Sequence, residues 1–137
     1  MFTGVVIGDG FTNKYDHHYL VQITGDKKLD ENYYSAILQP LCKTIFDVPA
    51  KITTTKDALR LSIYSKALFE MLTIRFDIPA GKKCYTIMIP EEIMSAENKF
   101  ISATLRGMFN TDGGIGFDKR KCYKKPYIRV NYTSAAL

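Results

Sequence analysis

Hydrophobic positions along this chain switch between two periods, and the switches mark its elements. Phe2, Val5, Val6 and Ile7 form a short, nearly continuous apolar run closed by Gly10, which predicts a brief buried helix. Phe11 to Tyr15 and Tyr19 to Thr24 then read as a hairpin turning through Asp16-His17-His18, with Tyr19, Val21 and Ile23 at the period-two spacing of a half-buried strand. Tyr33, Tyr34, Ile37, Leu38, Leu41 and Ile45 return to helical spacing. Asp30 is placed to cap that helix, and Pro40 should kink it. Lys51 to Thr55 and Ala58 to Tyr64 form a second hairpin turning at Lys56-Asp57, in which Leu59, Leu61 and Ile63 alternate. Ser65 can cap a helix carrying Leu68, Phe69 and Leu72. Asp77 to Pro90 reads as a loop, punctuated by Pro79, Gly81 and Pro90, and Pro90-Glu91-Glu92 suits the first turn of a short helix. Ser95 is placed to cap a last helix running to Asp112. Ile115 to Asp118 and Tyr127 to Tyr132 make a third hairpin.

This order predicts an α+β fold: one complete αββαββα unit over residues 1–96, followed by the opening helix and hairpin of a second copy over 97–137. A length of 137 residues fits one domain or two halves of one fold, and 46% hydrophobic residues suffice for a core. Nothing resembles a signal peptide or a membrane span, because the first apolar run ends by Gly8 and has no basic residues ahead of it. Cys42, Cys84 and Cys122 are too scattered for a zinc site and read as reduced thiols of an intracellular, cytoplasmic protein. His17 and His18 read as exposed turn residues rather than metal ligands.

The net charge of +5 is unevenly spread. No acid follows Asp118, whereas Lys119, Arg120, Lys121, Lys124, Lys125 and Arg129 all do. A localised basic turn of this kind suits a polyanionic partner, with phosphate contacts that give affinity without sequence information. A lysine-rich solvated hairpin is the plainer alternative.

Two nine-residue stretches look like copies of one device: Phe2-Thr3-Gly4-Val5-Val6-Ile7-Gly8-Asp9-Gly10 and Leu105-Arg106-Gly107-Met108-Phe109-Asn110-Thr111-Asp112-Gly113. Each is an apolar run with an internal glycine that ends in Asp-Gly. A helix macrodipole disfavours an anion at its C-terminus, so two such aspartates imply that the carboxylates serve a purpose there. Asp-Gly is also a common turn pair, which is the competing explanation.

With Ser65-Lys66-Ala67-Leu68, Ile78-Pro79-Ala80-Gly81-Lys82-Lys83 and Ile89-Pro90-Glu91-Glu92-Ile93, the two motifs make the chain resemble the LAGLIDADG homing endonucleases, particularly those within archaeal inteins. The resemblance covers the whole chain. The first motif departs from the family's lettering at Thr3 and Ile7, but the acidic eighth position is present twice, as Asp9 and Asp112. The resemblance implies that these two are catalytic and bind metal, each serving one DNA strand. It also implies a lysine near the active site, for which Lys82 is preferred over Lys83. Physical reasoning agrees on the aspartates. Helices that meet at Gly4 and Gly107 can pack backbone to backbone, and the carboxylates brought together at their ends repel unless a divalent cation such as Mg²⁺ lies between them.

Hairpins flanking such a helix pair could read double-stranded DNA in the major groove, with Asn13 and Tyr15 on one exposed strand face beside Phe11. The expected function is metal-dependent, site-specific cleavage of duplex DNA. A DNA-binding or RNA-splicing remnant that no longer cuts is the alternative. A homodimer, or the remainder of a larger protein, is expected to complete the second repeat.

Overall fold

The computed structural model describes residues 1–83, 85–118, 120–122 and 124–133. Helix α1 (Phe2–Asp9) runs straight into the hairpin β1 (Gly10–Tyr15) and β2 (His18–Asp26). Helix α2 follows in three consecutive pieces: Glu31–Tyr33, a π-helical stretch Tyr34–Leu38, and Gln39–Phe46. The second hairpin is β3 (Ala50–Thr54) and β4 (Ala58–Tyr64). Helix α3 begins as Lys66–Glu70 and widens to a π-helix over Met71–Arg75. After a long loop come α4 (Glu91–Met94), α5 (Asn98–Asp112) and the hairpin β5 (Gly113–Asp118) and β6 (Tyr127–Tyr132).

β1 to β4 form one antiparallel sheet in the order β1-β2-β4-β3, and β5 pairs with β6 separately. The register explains the alternation in the sequence. Gly10, Ile23, Leu61 and Ile52 line up across the four strands, as do Thr12, Val21, Ile63 and Ala50. These two rows form the inner face, which joins Val5, Val6, Leu38, Cys42, Leu68, Leu72 and Ile78 in one core. The opposite rows, Phe11-Gln22-Ser62-Lys51 and Asn13-Leu20-Tyr64, form the outer face.

Several local expectations shift. The first hairpin turns on Asp16-His17, with Asp16 left-handed at φ 49°, so His18 belongs to β2; both histidines are exposed. Asp30 does not cap α2. Its carboxylate accepts the Asp26 N–H at 2.7 Å and closes the preceding turn instead. Pro40 follows directly on the π-helical stretch. A wider turn spares the proline ring its clash with the carbonyl four residues back and removes the need for its missing N–H. Ser65 caps α3 through Leu68 N–H at 3.2 Å, as expected. Ser95 instead ends α4, donating to the Glu91 carbonyl at 2.9 Å, and α5 starts after Glu97.

The centre of the molecule is the contact of α1 with α5. A Cβ at Gly4 would collide with the Thr104 carbonyl oxygen, and one at Gly107 with the Met1 carbonyl oxygen. Neither position has room for a side chain, so the two backbones touch. Gly107→Ala should therefore lower stability by about 1–3 kcal/mol, the usual cost of overpacking, although helix propensity alone favours alanine by roughly 1 kcal/mol. Gly116→Ala, which has open space around it, should change stability by less than about 0.5 kcal/mol. Urea unfolding of the two variants checks the difference.

Candidate active site

Both motif helices end in the same way. Gly10 follows Asp9 at φ −77°, ψ 155°, and Gly113 follows Asp112 at φ −86°, ψ 155°. Each glycine N–H closes the helix onto the carbonyl four residues back, Val6 and Phe109 respectively. These are extended conformations open to any residue, so the glycines are not there for a left-handed turn. They are there for space: a Cβ at Gly10 would lie 2.5 Å from the Val6 backbone, and one at Gly113 would overlap the Phe109 carbonyl and ring. The chain thus passes from helix to strand without a loop, and each aspartate is fixed at a helix end. This geometry disposes of the Asp-Gly turn explanation.

The packing of α1 on α5 then brings the two ends together. Thr111 and Asp112 lie directly over Gly8, where a methyl group would come 3.1 Å from Asp112 Oδ2. Asp9 and Asp112 are both half-buried. Burial first, then the field of Asp112 and that of Asp30, push the Asp9 carboxyl from an ordinary 3.8 up to about 6, against the opposing pull of Lys83. Burial raises Asp112 as well, while Lys83 draws it down. Of the two, Asp9 is raised both by burial and by the charge of its partner.

Lys83 is the cation of the site. Its Nζ donates to the Ile7 carbonyl and, at 2.6 Å, to the Gly8 carbonyl, so it satisfies the C-terminal oxygens of α1 and offsets the macrodipole. It arrives there because its loop is pinned to β1. Gly81 N–H donates to the Thr12 carbonyl at 2.7 Å, and the buried Thr12 hydroxyl donates to the Pro79 carbonyl at 3.1 Å. Gly81 has φ +81°, the left-handed region that suits glycine, and this sets the direction in which Lys82 and Lys83 leave the loop. Lys82, the residue preferred in the sequence, is exposed.

Asp30 and Tyr34 lie within reach of the Asp9 charge, and Tyr33 stands beside Tyr34. Tyr34 is buried, its hydroxyl has no hydrogen-bond partner among the described residues, and burial with the fields of Asp9 and Asp30 holds its phenol in the neutral form. The Tyr33 hydroxyl accepts from Asn110 Nδ2 at 3.2 Å and ties α2 to α5. Only the tertiary packing brings Asp30, Tyr33 and Tyr34 here, and in the sequence they read simply as the start of α2.

No cluster of three or more His, Cys, Asp or Glu side chains forms a metal cage among the described residues. Two mutually repelling carboxylates with helix-end carbonyls beside them are instead an oxygen-only, incomplete ligand set. Such a set fits a hard divalent cation that keeps waters and takes phosphate oxygens from a bound substrate.

The other predicted contact residues divide into two groups. Asn13 and Tyr15 lie on the outer face of β1, Tyr15 exposed and Asn13 half-buried with its Oδ1 accepting the Lys14 N–H at 2.8 Å. Lys121, Lys124 and Lys125 are exposed on the β5–β6 connection, and Lys119 lies outside the described residues. Arg120 and Arg129 share Asp118, at 2.8 and 2.5 Å. The basic run therefore has an internal counter-charge that counting cations after Asp118 overlooks.

No family model matches the chain. It is 28% identical over 135 residues to a probable translation initiation factor IF-2 of Thermococcus kodakarensis, and 23% identical over 124 residues to a protein of the same description from Methanocaldococcus jannaschii. Those matches cover 98% and 88% of this chain but only 10% and 9% of the two relatives, so the chain spans about a tenth of their length. Among solved structures it is similar to mesophilic variants of the homing endonuclease I-DmoI, with a TM-score of 0.61 at 20% identity, covering 88% of this chain and 62% of that one. I-DmoI in complex with DNA and Mn gives the same score and identity, covering 67% of that chain, and the complex with DNA and Ca is equally similar. The chain thus has the mixed α/β fold of the LAGLIDADG homing endonucleases: an αββαββα unit with antiparallel hairpins, followed by two helices and a further hairpin.

Proposed function

We propose that this protein is a homing-type DNA endonuclease module that hydrolyses phosphodiesters with a divalent cation, Mg²⁺ being the expected one. The observation that carries the reading is the meeting of Asp9 and Asp112 at two loop-free helix ends, forced by glycine-on-glycine packing. Asp9 and Asp112 would hold the cation. When bound there, it neutralises phosphate charge and makes water more acidic. Lys83 keeps a positive charge beside both carboxylates, where it can offset charge on a bound phosphate. It takes the role for which the sequence pointed to Lys82.

Duplex DNA is the proposed partner. I-DmoI structures contain target DNA, and the same arrangement here would lay the outer face of the four-stranded sheet, with Asn13 and Tyr15, along the duplex on one side of the carboxylates. The β5–β6 hairpin, with Lys121, Lys124 and Lys125 on its connection, would lie on the other. We read residues 97–137 as a partial second repeat. Ile115, Phe117, Ile128 and Val130 form an exposed apolar face of β5 and β6. It corresponds to the face that β1 and β2 bury in the core, and further polypeptide, in the same chain or from a second copy, would cover it. An endonuclease fold matching a tenth of a translation factor supports an intein-type setting within an unrelated host protein.

Asp9→Asn and Asp112→Asn should each abolish double-strand cleavage in a plasmid assay at unchanged DNA affinity, since asparagine keeps the shape but not the charge that holds the cation. Lys83→Ala should slow cleavage by about 100-fold, in the range of losing one preorganised charge donor, and Lys82→Ala by much less. Binding without cleavage under Mg²⁺ or Mn²⁺ would favour the non-cutting DNA-binding or RNA-splicing alternative.

The raised Asp9 pKa has a defined sign. Between pH 4 and 6 the folded state holds a proton that the unfolded state has lost, so without metal the stability contributed by this group falls as pH rises through that window. Urea unfolding in EDTA should show the fall, and Asp9→Asn should reduce it, leaving only the part that the raised Asp112 contributes. Added Mg²⁺ should restore stability above pH 6, where Asp9 is ionised, and have little effect below pH 5.

Replacing Lys121, Lys124 and Lys125 by Ala should lower the slope of log K against log salt by up to about 2–3, close to one for each phosphate no longer neutralised. An unchanged slope in a fluorescence-anisotropy titration would place this turn off the DNA.

A further inference from the structure

One charged cluster lies outside the carboxylate site. On the β5–β6 ribbon, Gly114, Gly116 and Asp118 share a face with Tyr127, Arg129 and Asn131, because Gly116 pairs with Arg129 and Asp118 with Tyr127. Ile115, Phe117, Ile128 and Val130 take the other face. Asp118 is the hub of the polar side. Its carboxylate accepts from Arg120 Nε at 3.0 Å on both oxygens and from Arg129 Nη2 at 2.5 Å, and its side chain is only 8% exposed. Beside it Gly116 leaves open space, so Gly116, Phe117, Asp118, Arg120 and Arg129 line a shallow notch. In the first repeat the places of Gly114 and Gly116 are taken by Phe11 and Asn13, and the ribbon is filled.

We infer that Asp118 is a positioning residue that presents Arg129, across the opening over Gly116, to the edge of a guanine in the major groove of bound DNA. The inference rests on the DNA-binding reading above and adds a specificity-determining residue to it.

The choice of a base edge over a phosphate follows from charge. Among the described residues, two guanidiniums share the Asp118 carboxylate, which offsets part of their charge and repels a phosphate that approaches either arginine. The exposed Lys121, Lys124 and Lys125 on the same connection carry no such penalty and are the better phosphate ligands. A guanine edge is neutral and offers two acceptors at the spacing of an arginine fork. Asp118 also holds the Arg129 side chain in one place before DNA arrives, which reduces the conformational freedom lost on binding. The glycine beneath removes the side chain that would keep a base edge away.

Selection of bound duplexes from a random-sequence DNA library by the full chain in Ca²⁺, followed by anisotropy titration over a salt series, tests this. The wild type should enrich a guanine at one fixed position. Arg129→Ala and Arg129→Lys should both lose that preference and weaken binding to the selected duplex about 10- to 100-fold, the cost of one bidentate base contact. Arg129→Lys keeps the charge and should leave the salt slope unaltered. Asp118→Asn should bind random duplexes more tightly than wild type while selecting guanine less sharply. Circular dichroism confirms that each variant is folded. If Arg129→Lys retains the wild-type sequence preference, or Arg129→Ala weakens every duplex equally with the slope reduced by about one, Arg129 is a phosphate contact and the inference fails while the DNA-binding reading stands. If the wild type binds no duplex even at low salt, both fail.

Discussion

The contact between the backbones of α1 and α5 is the constraint from which the rest of the site follows. Gly4 and Gly107 allow the helices to approach until carbonyl oxygens of each meet the Cα of the other. Gly8 carries that approach to the last turn, under Thr111 and Asp112. Two carboxylates are thereby held together at helix ends, where burial, their mutual field and both macrodipoles oppose ionisation. Dispersion and apolar burial along α1 are strong enough to hold them there, because Phe2, Val5, Val6 and Ile7 are all buried. Fixing charge against its own preference in this way is common at functional sites, where pKa values are displaced by the fold.

The surroundings of the pair compensate in graded ways. Lys83 neutralises part of the charge and occupies the carbonyls that α1 leaves open. It depends on a loop held by Thr12, which is itself a core position of β1. Sheet, loop and lysine are thus mechanically linked: a shift of β1 would move the ammonium relative to the carboxylates. The neutral Tyr34 phenol and the half-buried Asp30 add polarity near Asp9 without adding positive charge. The result is a site that is rigid in its protein parts and short of ligands, which suits a cation shared with a substrate.

The two arms on either side of this centre differ in chemistry. The four-stranded sheet presents mixed polar and aromatic side chains on its outer face, with Gln22 donating to Ser62 at 2.9 Å across β2 and β4. The β5–β6 ribbon is glycine-rich and basic, with Arg120 and Arg129 gathered on one carboxylate and Lys121, Lys124 and Lys125 exposed. The two motif helices therefore carry unlike arms.

How much could be read from the chain depended on the range of the interactions involved. Residues alternating at period two, such as Val21 with Ile23 and Leu59 with Leu61 and Ile63, identified the strands and their inner face, since one sheet face must bury its apolar side chains. The repeated apolar run ending in Asp-Gly identified both helices and both carboxylates, because those features are local and occur twice. Lys82 is the lysine the sequence prefers, with nothing local to separate it from Lys83. Adjacent loop lysines have the same chemistry, and only the left-handed Gly81 and the hydrogen bonds from Thr12 decide which of them turns inward. Asp30, Tyr33 and Tyr34 carried only a helix-start signal, and Asp118 only that of a strand end. The glycines after the aspartates had the look of turn residues. Composition, pattern and the repeated motif by themselves determined the elements and the two carboxylates. The close approach of backbones, the direction of one lysine and the gathering of two arginines on one carboxylate were decided by tertiary structure alone, because each depends on distances between segments far apart in the chain.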